Sequence, residues 1–287
     1  MDKKNIGQKI LYFPFTVIII GLMVCGFVIG FGQIFIQKML ALTSIDNDLK
    51  NLIEGTFTAF LSIISYIYVF KRYEQRKITE FSKNGIIKNW SIGILLGVIL
   101  QSLTILIIYL KGGYSVIAVN SIFFIIPSLK MGITSAIVEE TLFRGIVFRI
   151  PEQKLGSYVS LCISALLFGV LHLNNPNSSL SAGIGIAIQG GLLLGAAYIY
   201  ARNLWFPIAI HFAWNFTQAA IFGANVSGNE ISKTLITSQI QGAEWFTGGQ
   251  FGPEASIQAT IFCLITTIVL LFISQKQGKI IKPKWIK

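Results

Sequence analysis

Met131-Gly-Ile-Thr-Ser-Ala-Ile-Val-Glu139-Glu140-Thr-Leu-Phe-Arg144 reads as a membrane helix that carries two adjacent carboxylates. Carboxylates are costly inside a bilayer, and those that occur there mark functional sites by default. Glu140 and Arg144 stand one turn apart on one helix face, in charge-compensating register. Glu139 projects about 100° away from that face and lacks the arginine. One acid is thereby neutralised, while the other is left to serve as a base. The plainer reading is that both acids pair with basic residues at a helix end.

The rest of the chain fits a membrane setting. Its 287 residues are 53% hydrophobic and 12% charged, with a mean hydropathy of +0.69. That composition excludes disorder and is foreign to soluble domains. Apolar runs of spanning length fall near 10–36, 52–70, 90–110, 131–150, 157–173, 180–201, 206–223 and 256–274. Residues 118–130 read as a surface-lying piece broken at Pro127. The expectation is an all-α, polytopic transmembrane helix bundle of about eight spans. Its parts are N-terminal helices over 1–116, a core over 117–223, and an outer loop with a last helix and basic tail over 224–287.

Charge sets the orientation. The net charge is +11, but the basic residues cluster between apolar runs, so anionic lipid headgroups are the expected partners and nucleic acid is not. With the N-terminus inside, 18 of the 23 lysines and arginines fall on the inner face, Lys3, Lys4, Lys9 and Lys287 among them. Lys38, Lys50, Lys111, Lys130 and Lys233 remain outside, which places both termini in the cytoplasm. The first apolar run is too long for a signal peptide, and Val24 before Cys25 spoils a lipoprotein signal, so that helix is expected to stay as an anchor. Cys25, Cys162 and Cys263 sit in apolar runs without metal-type spacing and read as packing residues. No repeat period is visible. The stretch Gly223–Ala255, rich in glycines and aromatics, reads equally as an ordered loop capping the bundle or as a solvated connection.

Two further motifs carry the chain's only histidines: Phe168-Gly-Val-Leu-His172 and His211-Phe-Ala-Trp-Asn215. A lone histidine in a membrane helix often just bonds a neighbouring helix. His211 and Asn215, at i and i+4, share a face and can donate to one oxygen, as an oxyanion hole requires. In an idealised topology His172 falls near the outer end of its helix and His211 nearer the inner end of its own. A compact site then needs a short, tilted or broken helix, with Asn174-Asn-Pro176 turning in the protein interior.

Glu-Glu-x-x-x-Arg, Phe-x-x-x-His and His-x-x-x-Asn, in that order, resemble the motif set of the CPBP intramembrane proteases. That group includes the CAAX prenyl endopeptidases of the Rce1 type and the bacterial Abi-type membrane proteins linked to bacteriocin immunity. The resemblance covers roughly Ile117–Gly223 with no substitution at a motif position. It implies hydrolysis of a peptide bond in a membrane-associated protein or peptide, without metal or other cofactor. Glu139 with His172 would activate water, His211 and Asn215 would hold the oxyanion, and Glu140, Arg144 and Phe168 would support the site. The compact chain points to a bacterial cell membrane. Three other readings use the same residues: a zinc protease, although His-Glu-x-x-His is absent; a transporter or proton relay; and a catalytically silent immunity or scaffold protein.

Overall fold

The computed structural model describes Gly7 and residues 11–284. Lys3, Lys4, Lys9 and Lys287, counted above on the inner face, lie outside the described residues, as does the very start of the first apolar run.

The long apolar runs form helices because no charge interrupts them. Helix α1 spans Pro14–Ala41, α2 Asn47–Tyr73 and α3 Ile86–Leu110. Helix α4, Ile126–Leu142, passes through a π-turn at Phe143–Phe148 into α5, Arg149–His172. Helix α6, Leu180–Ile186, passes through a second π-turn at Ala187–Leu193 into α7, Leu194–Ala201. Helix α8, Trp205–Phe216, ends in a third π-turn at Thr217–Ile221. After the short helix α9, Glu244–Thr247, helix α10 covers Ile257–Lys276.

Among the described residues six stretches are long and apolar enough to cross a membrane, one of them the 51 residues of Ile122–His172. Gly156, at φ 78° and ψ 168°, kinks that stretch within α5, so it delivers two rods. With the shorter α8 rod the bundle has the eight rods expected, and the chain is a multi-pass integral membrane protein. Pro127 does not break a helix. It sits in the first turn of α4, where its missing N–H costs nothing. The residues before it form a strand, β1 (Tyr114–Val119), and a 3-10 turn at Ile122–Ile125. Strand β1 pairs antiparallel with β2 (Ile236–Ile240), from Tyr114↔Ile240 to Val119↔Ile236, which ties the 224–255 connection to the mouth of α4.

In lipid, helices associate through close packing and interhelical hydrogen bonds. Helix α3 supplies the close packing with Gly93 and Gly97, a small-xxx-small pair laid on α8. A Cβ on Gly97 would stand 2.6 Å from the Ile210 carbonyl oxygen, so only glycine admits this approach. The side chain of Glu54 on α2 accepts from Gln33 and Gln37 of α1, both at 2.8 Å. At the basic end, Arg149 meets Glu74 at 2.9 Å and Glu80 at 3.4 Å, and Arg202 meets Glu152 at 2.8 Å. Cys25 and Cys263 are buried packing residues as expected, while Cys162 is exposed on the outside of the bundle.

Candidate active site

The two neighbouring acids face different surroundings. Glu140 is fully buried, and its Oε1 accepts from Arg144 Nη1 at 2.8 Å and lies 3.0 Å from His211 Nδ1. Arg144, also fully buried, donates to the carbonyls of Gly190 and Gly191. Its guanidinium lies 4.9 Å from the Phe168 ring centroid. The i, i+4 pairing read from the sequence is therefore a formed ion pair. Glu139, one residue earlier, is half-buried and turned to a cavity.

Arg144 and its two carbonyl partners sit on widened turns. The π-turn at Phe143–Phe148 starts one residue before Arg144, and the one at Ala187–Leu193 carries Gly190 and Gly191. Such turns reset the helical register locally and are frequent at functional sites. The glycines matter here because a Cβ on Gly190 would run into the Phe168 ring.

Phe168 links this clamp to the first histidine. Its ring centroid is 4.5 Å from that of His172 and 4.8 Å from that of Phe143, which meets it edge-on. His172 Nδ1 lies 2.8 Å from the Phe168 carbonyl oxygen. A carbonyl can only accept, so Nδ1 holds a proton, and in the neutral ring Nε2 is the nitrogen with the lone pair. Of the two ring nitrogens, Nε2 is the one not engaged by that carbonyl. Asn215 donates through Nδ2 to Ser135 Oγ at 3.1 Å, and Ser135 in turn donates to the Met131 carbonyl at 2.9 Å.

Glu139 of α4, His172 of α5, and His211 and Asn215 of α8 all line one cavity of about 380 Å³. Leu193, Ile210 and Trp214 give it an apolar wall. Its size and mixed lining are those of a ligand site. The helix that carries His172 is broken at Gly156, and the turn after His172 is not an interior one. Asn174 and Pro176 are exposed, and only Asn175 reaches the cavity.

Residues 120–217, which contain all seven motif residues, match the family described as type II CAAX prenyl endopeptidase Rce1-like. The match spans about the central third of the chain. No curated protein and no solved structure matches the chain. The boundaries lie close to those of the resemblance read from the motifs, and the helices outside them rest on hydropathy and packing alone.

The Rce1-like segment does not enclose the cavity by itself. The 224–255 connection is ordered and folds over it, so the capping reading holds. Val226, Ser227, Asn229 and Glu254 all line the cavity. Glu254 is 2% exposed, and burial pushes its carboxyl up to about 7. The sequence motifs include none of Ser135, Gln189 and Glu254. Ser135 stands one turn before Glu139 and is open to detection by helical spacing, whereas nothing local flags Glu254. Among the described residues no group of three or more His, Cys, Asp or Glu side chains is arranged to hold a metal ion.

Proposed function

We propose that the chain is an intramembrane endopeptidase of the glutamic type, acting on a membrane-associated protein or peptide. The observation that carries this reading is that Glu139, His172, His211 and Asn215, from three helices, line one cavity. Glu139 and the Nε2 of His172 take a proton from water, and the resulting hydroxide attacks the scissile carbonyl carbon. His211 and Asn215 donate to the oxyanion that forms. With Nδ1 committed to Glu140, His211 donates through Nε2 when the ring carries both protons, and Glu140 is the adjacent counter-charge. When the tetrahedral adduct collapses, the C–N bond breaks and the proton held by Glu139 and His172 passes to the leaving amine. Glu140 and Arg144 keep His211 in place.

The family description supports CAAX-type processing as the substrate setting, and the Abi-type resemblance supports a role in bacteriocin immunity. Purified protein in liposomes, offered a prenylated CAAX peptide and an unprenylated membrane peptide, separates the two. Folded protein that cleaves neither of these nor other membrane substrates would move the chain to the silent scaffold reading. The charge bias supports cytoplasmic termini, which accessibility of terminal tags in intact cells and inverted vesicles tests.

A further inference from the structure

Glu254 lies in a 3-10 turn at Pro253–Ala255, outside the Rce1-like segment, and yet it lines the same cavity as Glu139 and His172. A buried carboxylate without a cationic partner is expensive, so its bonds identify what it holds. Its side chain accepts the backbone N–H of Ser227 together with bonds from Gln218 and Trp214, and its carbonyl accepts from Gln189 Nε2 at 2.5 Å. Beyond Ser227 the connection continues to the helix of His172. The Ser227 carbonyl accepts from Asn175 Nδ2 at 2.9 Å, and the Asn175 N–H bonds the His172 carbonyl at 3.1 Å. The Ser227 peptide is therefore a bridge with Glu254 on one side and the end of α5 on the other.

The neighbouring residues reinforce this bridge. Gly228 donates to the Phe251 carbonyl at 2.8 Å, and Asn177 Nδ2 reaches the Gly228 carbonyl at 3.3 Å. Gly228 has φ 80°, and a Cβ there would strike the Pro176 carbonyl, so the strap lies flat against the turn after His172. Given the proposed proteolysis, we infer that Glu254 is a positioning residue that latches the 226–229 strap to the end of α5 and so fixes His172 in the cavity. It touches neither water nor scissile bond in this scheme; it acts through Ser227 and Asn175.

The test compares wild type, Glu254→Ala, Glu254→Gln and Asn175→Ala in lipid, by amide exchange at Val226–Asn229 and by steady-state cleavage. Glu254→Ala removes the acceptor, and exchange at the strap should rise by about tenfold or more as it opens locally. Turnover should fall through kcat, by up to about 10²-fold, with little change in KM, because a displaced base slows chemistry. Glutamine still presents an oxygen to Ser227, so Glu254→Gln should restore most of both readouts. Asn175→Ala cuts the bridge on its other side and should reproduce the fall in kcat, a result available even if the Glu254→Ala protein does not fold. Unchanged exchange at the strap in Glu254→Ala, or a loosened strap with wild-type kcat, would overturn the inference. Absence of cleavage by wild type strikes the proposed function instead, and the exchange data judge the latch on their own.

Discussion

His211 Nδ1 lies 3.0 Å from the same Glu140 oxygen that accepts Arg144 Nη1 at 2.8 Å. That shared oxygen sets the surroundings of the two acids apart. Glu140 spends Oε1 on holding an arginine and a histidine, both nearly or fully buried, and it does not line the cavity. Glu139 has no such engagement with Arg144 and faces the cavity. The two adjacent residues should therefore respond to substitution in opposite ways.

Glu139→Gln keeps the shape of the side chain and removes the base. Turnover should drop by about 10²–10⁴-fold, the range expected for loss of general base catalysis, with the melting temperature nearly unchanged. Glu140→Ala should instead lower the melting temperature, because it strands a fully buried Arg144. Breaking one side of a buried pair costs about 3–5 kcal/mol. Thermal melts in detergent beside cleavage rates decide it, and a Glu139→Gln protein with more than a tenth of wild-type turnover would remove Glu139 from the chemistry.

Asn215 and Ser135 should behave as a donor and its holder. Asn215→Ala removes a proposed oxyanion donor, for which a loss of about 10²–10³ in kcat with little change in KM is expected. Ser135→Ala leaves the amide in place but frees it to rotate, so a smaller loss in kcat is expected, and Ser135→Thr should recover part of it by keeping the hydroxyl. If Asn215→Ala melts early and turns over normally, the residue is interhelical glue worth roughly 1 kcal/mol.

Most of this arrangement is legible in the sequence, for identifiable reasons. Helix spacing is local, so residue numbers alone place Glu140 with Arg144, and His211 with Asn215, on shared faces. Membrane helices are also marked by length and hydropathy, which is why the eight rods can be counted from apolar runs. Strand β1 escapes because its partner, Ile236–Ile240, lies more than a hundred residues away and the pairing depends on the tertiary fold. Glu254 escapes for a related reason: a lone acid in a polar loop looks solvated until the chain folds back. The shared oxygen between His211 and Arg144 also depends on the crossing of α4 and α8, which no local pattern encodes.

Cleavage should survive exhaustive treatment with chelators. The proposed scheme uses Glu139 and His172 on water, and His172 Nδ1 is already held by the Phe168 carbonyl. Metal analysis of the purified protein, with rates before and after chelation and after zinc is returned, provides the measurement. Stoichiometric zinc whose removal stops turnover and whose return restores it would make the histidines ligands.

Gly97→Leu should damage the site from a distance. Its side chain would enter the contact where a Cβ already stands 2.6 Å from the Ile210 carbonyl oxygen and 2.8 Å from the Ala213 Cβ. Both residues flank His211 on α8, so the helix must move outward and take His211 and Asn215 with it. Overpacking of this kind typically costs about 1–3 kcal/mol, and a lower melting temperature with reduced kcat is expected. Gly26→Leu, on α1 where nothing lies within 4 Å of the added Cβ, is the control and should alter neither.

The seating of the 224–255 connection should weaken as pH rises from mild acid to neutrality. Burial raises the Glu254 carboxyl from 4.5 to about 7, outweighing the hydrogen bonds from Ser227, Gln218 and Trp214 that lower it. A carboxyl raised in the folded state adds stability that is complete below its unfolded value and is lost as pH climbs through the folded one. The strap should therefore be seated most firmly at acid pH and loosen progressively between about pH 4.5 and 7, where the carboxyl ionises once the strap opens but stays protonated while it is seated. Glu254→Gln accepts the same N–H and never ionises, so its strap should not share this dependence. The measurement is the ratio of amide exchange at Val226–Asn229 in wild type to that in Glu254→Gln at each pH, which cancels the intrinsic rise of exchange with pH. The expected ratio is flat below about pH 4.5, climbs between about pH 4.5 and 7, and levels off above that. A ratio that stays flat across that range would show that the Glu254 proton does not govern the strap.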